Sequence, residues 1–429
     1  MKRAIRNTTL FLCLLLAASF AFVGCKPKGG SKITLTMVES LTNPERTKVL
    51  REIANEYQAA HPNIVIEIIS PPLDGADQKI QQMLVNKNDM DIFEVRDNTV
   101  AQFSANNFIE PLDDYIKNWS DAKTLVDNVE ITATLVGGKW FLIPYGFYTR
   151  MLYYRADWLK EAGIPVPTTY AELGVAAKAL TNPARGRYGW TLRGISGGWG
   201  TPAPWVQAKI GSARLNTRDP GFTKDGQSIY GTPEAFEYYS FIYDMYKNAS
   251  PSDSIAWGFQ DQCQAFTSGV TAFLLQDPEV VAICQENMVD GTWATAPLPL
   301  DATSRQHPIT AGYAGWGIAS HSKNKQEAAD FIMFLSNPVN NAKFCKQYSV
   351  IPIHTNAADI DPFFKSGPFA AYVTMFAHPE NYFIVVGKSR PQDQEIDKAN
   401  EVDFSQVLSG NADLRQVLNS WAAKQQSIY

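Results

Sequence analysis

Apolar and polar residues alternate first over Ile33 to Val38, where Ile33, Leu35 and Met37 interleave with Thr34, Thr36 and Val38. A period of two predicts a β-strand. Asn43 and Pro44 form a helix start, a side-chain cap followed by a first-turn proline. Val49, Leu50, Ile53, Ala54 and Tyr57 then recur at helical spacing until Pro62 ends the helix. Asn63 to Ile69 is almost wholly apolar, the mark of a strand buried on both faces. A helix with Ile80, Met83 and Leu84 leads to a third strand, Asp91 to Val95. This strand–helix rhythm predicts an α/β unit with a mostly parallel sheet.

Near Tyr145 the pattern changes character. Met151 to Arg155 reads as a strand, Ala156 to Ala162 as a short helix ended by Gly163, and Ile164-Pro-Val-Pro167 as an extended link. Thr168 or Thr169 caps a helix carrying Leu173 and Ala177. Gly194 to Pro204 is too rich in glycine and proline for regular structure. Helices are predicted at Pro233 to Lys247, Gln262 to Ser268, from Pro278, at Lys325 to Leu335 and over Asn400 to Gln426. Strands are predicted at Thr271 to Leu275 and ending at Ser320.

The longest apolar run lies at the start. Lys2, Arg3 and Arg6 precede an uncharged stretch, Leu10 to Val23, whose 14 residues are too few to span a bilayer and suit a signal-peptide core. Phe22-Val23-Gly24-Cys25 resembles the lipobox of bacterial lipoproteins, which implies a leader over 1–24, acyl chains on Cys25 and a flexible tether over 25–31. Two or more chains anchor stably, at about 0.8 kcal/mol per buried CH₂. The competing reading is an uncleaved anchor helix. Removing the leader, with its three cations, leaves 405 residues at a net charge of −8 instead of −5, enough chain for two domains. A mildly acidic chain without a basic run has no electrostatic footprint for nucleic acid. Beyond Cys13 and Cys25 there remain Cys263, Cys284 and Cys345; one bridge, Cys263 to Cys284, or three buried thiols would fit.

Gly138-Lys-Trp-Phe-Leu-Ile-Pro-Tyr-Gly146, followed by Met151-Leu-Tyr-Tyr-Arg-Ala-Asp-Trp158, resembles a hallmark of the extracellular solute-binding proteins of family 1, the maltose-binding-protein-like receptors of ABC sugar importers. Asp91-Ile-Phe-Glu-Val95 with Phe108-Ile-Glu-Pro-Leu112, Ala296-Pro-Leu-Pro299 with Gly315-Trp-Gly-Ile-Ala319, and Val350-Ile-Pro-Ile353 agree in order and spacing. The resemblance implies an α/β, two-lobed periplasmic-binding-protein fold of type II, each lobe a mostly parallel sheet flanked by helices, joined by crossing hinge segments. Lobe one would take 32–144 and 312–348, and lobe two 145–311 and 349–429. It also implies a carbohydrate ligand, transmembrane permease subunits as partners, a monomer lipid-anchored outside the cytoplasm, and no cofactor or metal.

A sugar offers ring faces for aromatic stacking and hydroxyls for charged side chains. Glu39 and Ser40, past the first strand, and Asp97 and Asn98, past the third, stand at strand ends where open α/β sheets bind ligands. These four serve equally well as helix caps. Tyr145 and Tyr148 fall at the hinge, and the resemblance places Tyr148 where relatives carry a ligand-contacting acid. Trp199 and Trp205 occupy the irregular segment as candidate platforms, with Trp257 and Trp316 as further candidates that would serve equally as core. Leu275-Gln-Asp-Pro278 resembles the family's strand-to-helix turn, with Asp277 reaching the cleft; Glu279 stands where an aromatic is usual, which argues against a maltodextrin-like ligand. Arg390 would suit a polar or anionic ligand, or a plain surface position.

Two enzyme readings compete. Gly194-Ile-Ser-Gly-Gly198 matches a nucleophile elbow, and Asp277 and His307 would complete a hydrolase order, but the glycines and prolines after Ser196 oppose the helix that motif needs. A two-carboxylate glycosidase has no recognisable pair. A third class is a structural surface lipoprotein. The sequence favours a non-catalytic receptor that captures a mono- or oligosaccharide by hinge closure, with a phosphorylated or otherwise anionic polyol as the alternative ligand.

Overall fold

The computed structural model describes residues 32–310, 312–386 and 390–427; the leader, the tether and Cys25 lie outside the described residues. The chain lays down β1 (Ile33–Val38), β2 (Ile64–Ile69), β3 (Ile92–Arg96) and β4 (Ile143–Tyr148), then β5 (Met151–Arg155), β6 (Tyr188–Trp190), β7 (Thr271–Gln276), β8 (Trp293–Ala296), β9 (His307–Thr310), β10 (Gly312–Ile318) and β11 (Tyr382–Val385). One sheet has the order β2-β1-β3-β10-β4, a second β6-β7-β5-β8, and β9 pairs with β11 alone.

The helix Pro44–Ala60 begins where the sequence predicts. The Asn43 side chain accepts hydrogen bonds from the Glu45 and Arg46 amides at 3.0 and 3.3 Å, and Val49, Leu50, Ile53, Ala54 and Tyr57 form its buried face. That face covers the first sheet within a core that includes Leu35, Ile92, Trp316 and Phe331. A separate core gathers Leu152, Tyr170, Trp205, Tyr239 and Phe273 around the second sheet. The result is the two-lobed α/β fold expected, with helices flanking both sheets.

The sheets themselves are mixed, not mostly parallel. In the first, β1 runs parallel to β2 and β3, but β10 is antiparallel to both β3 and β4. In the second only β6 and β7 are parallel. The reason is connectivity: β4 leaves lobe one for lobe two and β10 brings the chain back, so they run in opposite senses. β2 is an edge strand with Glu67 exposed and Ile69 38 % exposed, so its apolar run is covered on one side only. Tyr145 and Phe147, expected in lobe two, pack in the first core, as do Val350 and Ile353. The chain passes between cores at Thr149-Arg150 and beyond Ile353, and in between Ile309 belongs to the second core and Tyr313 to the first.

Gly315 shows why the crossing strands lie so close. A Cβ there would come 2.3 Å from the Ile143 carbonyl oxygen, at the bulge where the β10–β4 register shifts. Cys263, Cys284 and Cys345 are buried free thiols, so the Cys263–Cys284 bridge does not form. Among the described residues no helix is long and apolar enough to cross a membrane.

Candidate functional site

Lobe one presents to the hinge a charged cluster that is wholly internal. Arg46 sits in the first turn of the helix Pro44–Ala60, where a cation opposes the helix dipole. It is held there by Glu39 and by Glu94, the latter at 2.7 Å, with all three side chains fully buried. Glu94 also accepts the Ser40 and Leu41 amides at 2.6 and 2.9 Å and the Tyr145 hydroxyl. Thr47 and Ser70 donate to Glu39, each at 2.5 Å. The guanidinium lies 5.2–5.4 Å from the ring centres of Tyr145, Trp316, Phe344 and Tyr348, within cation–π range. Burial alone would lower the Arg46 pKa, but Glu94, Tyr145 and Glu39 outweigh it and raise it.

Several nominated ligand contacts are therefore spoken for. Glu39 is fully buried and engaged with Arg46, Thr47 and Ser70. Ser40 is buried and gives its amide to Glu94. Trp316 is fully buried beside Tyr145, their rings 5.3 Å apart. Tyr145 is internal too, but it reaches outward: its hydroxyl is 2.7 Å from that of Tyr148. Tyr148 keeps partial exposure at the lobe junction. Its pKa is pushed far up, first by burial, then by Tyr145, Tyr348 and Glu279. The Glu279 contribution links the hinge to lobe two.

Next to Tyr148, the end of β3 supplies Arg96, Asp97 and Asn98, all partly exposed. The Asp97 amide donates to the Tyr313 carbonyl at 3.1 Å, and Asn98 turns back so that its amide meets the Asp97 carboxylate at 2.8 Å. Arg96 pairs with Asp77. Burial lowers the Arg96 pKa although 28 % of its side chain meets solvent. Both hold for a group that is ringed by protein yet keeps one edge open, and the exposed area decides that water reaches it.

In lobe two, the turn after β7 is fixed by a relay of amides. Gln262 donates to the Thr191 carbonyl at 3.1 Å, Gln276 donates to Gln262 at 3.0 Å, and the Asp277 amide donates to Gln276 at 3.0 Å. Tyr153 adds a hydrogen bond to the Asp277 carbonyl at 2.8 Å. This rigid turn holds Asp277 and Glu279 at the start of the helix Val280–Asn287. Burial, then the Asp277 charge, push the Glu279 pKa up to about 8, outweighing Arg193, Arg150 and its own amide. Arg193 is lowered to about 10 by burial and then by Arg150. Neither arginine forms an ion pair among the described residues. Behind Arg193 the chain doubles back so tightly that a Cβ on Gly198 would come 2.4 Å from the Arg193 carbonyl oxygen. Gly197, at φ 97°, donates its amide to Glu401 at 3.1 Å. Burial pushes the Glu401 pKa up.

The Glu279 shift has a signed consequence. The folded state holds a proton that the unfolded chain releases near 4.5, so stability is full below that pH and falls as pH climbs towards about 8. The slope approaches 1.4 kcal/mol per pH unit for one proton. Unfolding free energies measured at pH 5 and pH 8.5 should drop more for the parent protein than for Glu279→Gln; equal drops reject the assignment.

The remaining candidates separate cleanly. Trp205 stacks on Tyr170 at 4.1 Å and is 2 % exposed; Trp199 packs against Trp421 and Tyr230 at 5.4 and 5.9 Å. Both are lobe-two core, not platforms, because the segment that carries them folds inward around their rings. Trp257 is partly exposed, and its carbonyl accepts the Gly194 and Ile195 amides at 3.0 and 3.1 Å. Arg390 is ion-paired to Asp219 over the Phe222 ring. Ser196, Asp277 and His307 do not form a triad: His307 is buried, its Nδ1 lies 2.6 Å from the Pro308 carbonyl, and its Nε2 has no hydrogen-bond partner among the described residues. Ser196 is followed by one 3₁₀ turn, Gly198–Gly200, in place of an elbow helix. Two depressions of about 310 and 690 Å³ lie elsewhere, on the flank of lobe one, sharing Lys48 and Glu52. Around the smaller one, Lys343 and Lys346 are already ion-paired. Arg150 and Arg193, without an ion pair among the described residues, and the shifted acid Glu279 share one electrostatic neighbourhood after the crossing from β4, which is the candidate site.

Sequence reasoning missed Arg46, Glu94, Arg150, Arg193, Tyr348 and Glu401. Arg150 alone carried a signal, as one of two residues joining β4 to β5 at the crossing.

Residues 52–377 match the family model described as bacterial extracellular solute-binding protein. A binding protein of Brucella abortus is 22% identical over 403 residues, 93% of each chain. The mannitol-binding protein of Pseudomonas aeruginosa is 23% identical over 337 residues, 73% of this chain and 74% of that one. A solved ABC transporter solute-binding protein of Thermotoga lettingae, bound with alpha-D-tagatose, matches at TM-score 0.79 and 19% identity, over 93% of this chain and 99% of its own. That match shows a shared fold, and its partners in the comparison are binding proteins and not enzymes. The family model spans most of the sequence, and the chain belongs to the bacterial extracellular solute-binding proteins.

Proposed function

We propose that this protein captures a carbohydrate between its lobes and delivers it to the transmembrane subunits of an ABC importer. The observation that carries the reading is the lobe junction, where partly exposed Tyr148, hydrogen-bonded to Tyr145, stands beside Gly312 with the partly exposed Asp97 at the end of β3. Relatives named for mannitol and solved with tagatose support it. Closing such a junction from 1 % to 99 % needs about 5.5 kcal/mol of preference for the closed form. Hydrogen bonds to charged groups contribute roughly 1.5–3 kcal/mol each, so two to four of them suffice. Contacts made only in the closed form select that form.

We place the protein outside the cytoplasm, anchored through lipid on Cys25 and working as a monomer without bond-making chemistry. Isothermal calorimetry against a panel of sugars and alditols tests the central claim. Saturable binding of at least one member, with no product formed, is expected. Turnover of a glycoside or ester in place of stoichiometric binding would reject it.

A further inference from the structure

The end of lobe one at which the chain enters is basic, although the chain as a whole is acidic. β1, β2 and β3 run parallel, so their amino ends lie at one end of the first sheet, together with the carboxyl end of the antiparallel β10. Lys32 precedes β1, whose first amide donates to the Asn63 carbonyl before β2 at 2.9 Å. Lys87 lies in the loop that enters β3, and Lys323 in the loop that leaves β10. These two loops are joined, because His321 Nε2 is 2.8 Å from the Asn88 carbonyl. Ser322 and Asn324, on either side of Lys323, both bond the Asp91 carboxylate, Asn324 at 3.2 Å. The same carboxylate accepts the Thr36 amide at 3.0 Å, which ties the loops to β1 four residues along from Lys32. At the rise of a strand that is a step of about 13 Å.

Lys32, Lys87 and Lys323 are exposed and form no ion pair among the described residues. The acids beside them are mostly engaged. Asp91 is buried and hydrogen-bonded, Glu110 is paired with Lys325 at 2.8 Å, and Asp89 is the exposed acid of the two loops. Without its leader the chain carries a net charge of −8, so an anionic surface favours the orientation that presents this end.

This is also the end at which the chain arrives from Cys25. Seven residues, 25–31, precede Lys32, and seven steps of chain reach at most about 25 Å. Two of them, Lys26 and Lys28, are cations. Attraction of basic groups to an anionic leaflet fades within a Debye length, about 8 Å at physiological salt. A lipid on Cys25 would bring the lysines into that range, and one acyl anchor plus a basic patch holds better than either alone.

We propose that this end of lobe one docks on the acidic phospholipid headgroups of the membrane that holds the anchor, through Lys32, Lys87 and Lys323 with Lys26 and Lys28 beside them. The proposal rests on the anchoring at Cys25 proposed above. Its consequence is orientation: the far ends of the same strands carry Glu39, Asp97 and the lobe junction, which stands roughly 20 Å further from the lipid.

The test co-sediments the mature chain, with Cys25→Ser so that no acyl chain contributes, with vesicles of phosphatidylcholine alone or with about one-third phosphatidylglycerol. Partitioning onto the anionic vesicles should be more than roughly tenfold stronger at low salt, and the preference should vanish in molar salt. A lysine near an anionic leaflet is worth about fivefold in partitioning. Lys32→Glu, Lys87→Glu and Lys323→Glu together should therefore abolish the preference. Lys160→Glu, Lys224→Glu and Lys247→Glu, which change exposed lysines of lobe two by the same charge, should keep most of it. Unfolding midpoints check that both triple variants fold. Equal partitioning on the two vesicles, or equal losses in the two triple variants, overturns the inference. Capture by soluble polyphosphate but not by vesicles overturns it too, giving the face to a phosphate polymer. The mass of Cys25 in the exported protein judges the anchor separately: a bare cysteine overturns the anchoring reading, whereas an acylated one with no vesicle preference overturns this inference alone.

Discussion

Glu94→Ala should cost about 3–5 kcal/mol of unfolding free energy, the range seen when one partner of a buried ion pair is removed. One carboxylate here receives the Arg46 guanidinium, the Tyr145 hydroxyl and the Ser40 and Leu41 amides. Deleting it leaves four donors with less, in a place from which water is excluded. Arg46 would retain only Glu39 as a counter-ion. Glu94→Gln keeps the shape and should cost less, since it removes the charge while preserving an acceptor. Urea unfolding with a common slope for parent and variant measures the loss. A shift below 1 kcal/mol would mean that the cluster is not the anchor of lobe one. The effect should reach the lobe junction as well, because Tyr148 is positioned through Tyr145, whose hydroxyl bonds both Glu94 and Tyr148.

Trp205→Ala is expected to cost a similar amount, about 3–5 kcal/mol, by the cavity left in a well-packed core. The indole stacks on Tyr170 and meets Trp190, Tyr238 and Phe241 within 5.7–6.0 Å. Truncation strips all four contacts at once, and none of these neighbours can turn to fill the space without leaving its own packing. Trp205→Phe should recover part of the loss. Thermal unfolding reports the stability, and calorimetry at a temperature where the variant is folded reports binding. A platform residue would behave in the opposite way, losing affinity at unchanged stability. That opposite pattern would return Trp205 to the candidate site.

The hydropathy pattern was enough to read the first three strands, the helix from Pro44 and the change of lobe near Tyr145, because each rests on local periodicity and on caps within a few residues. It was not enough for strand direction. Whether β10 lies parallel or antiparallel depends on a partner that is far away in sequence, and Gly315 betrays only that something passes close by. The site divides along the same line. Asp97, Asn98, Tyr148 and Asp277 were nominated from their positions at strand ends and the crossing, and the structure leaves them partly exposed. Glu39 was chosen by the same rule and failed, since Arg46, seven residues on and one helical turn in, draws it inward. The tryptophans failed for a different reason. Glycine and proline around Trp199 and Trp205 signal irregular backbone, but irregular backbone can fold its large side chains inward as readily as outward. Arg193 carried no such signal, since its place near Asp277 depends on segments some eighty residues apart in the chain.

β4 and β10 pair up to Tyr148 and Gly312, and Phe147 forms a bridge with Ile351 beside them. The segments that flank all three passages of the chain between the lobes are thus laced together. Separate threads would let one half of the molecule wring or slide against the other. Bound side by side, they would act as a door hinge with one pin, leaving a swing in one plane as the motion that the proposed capture requires.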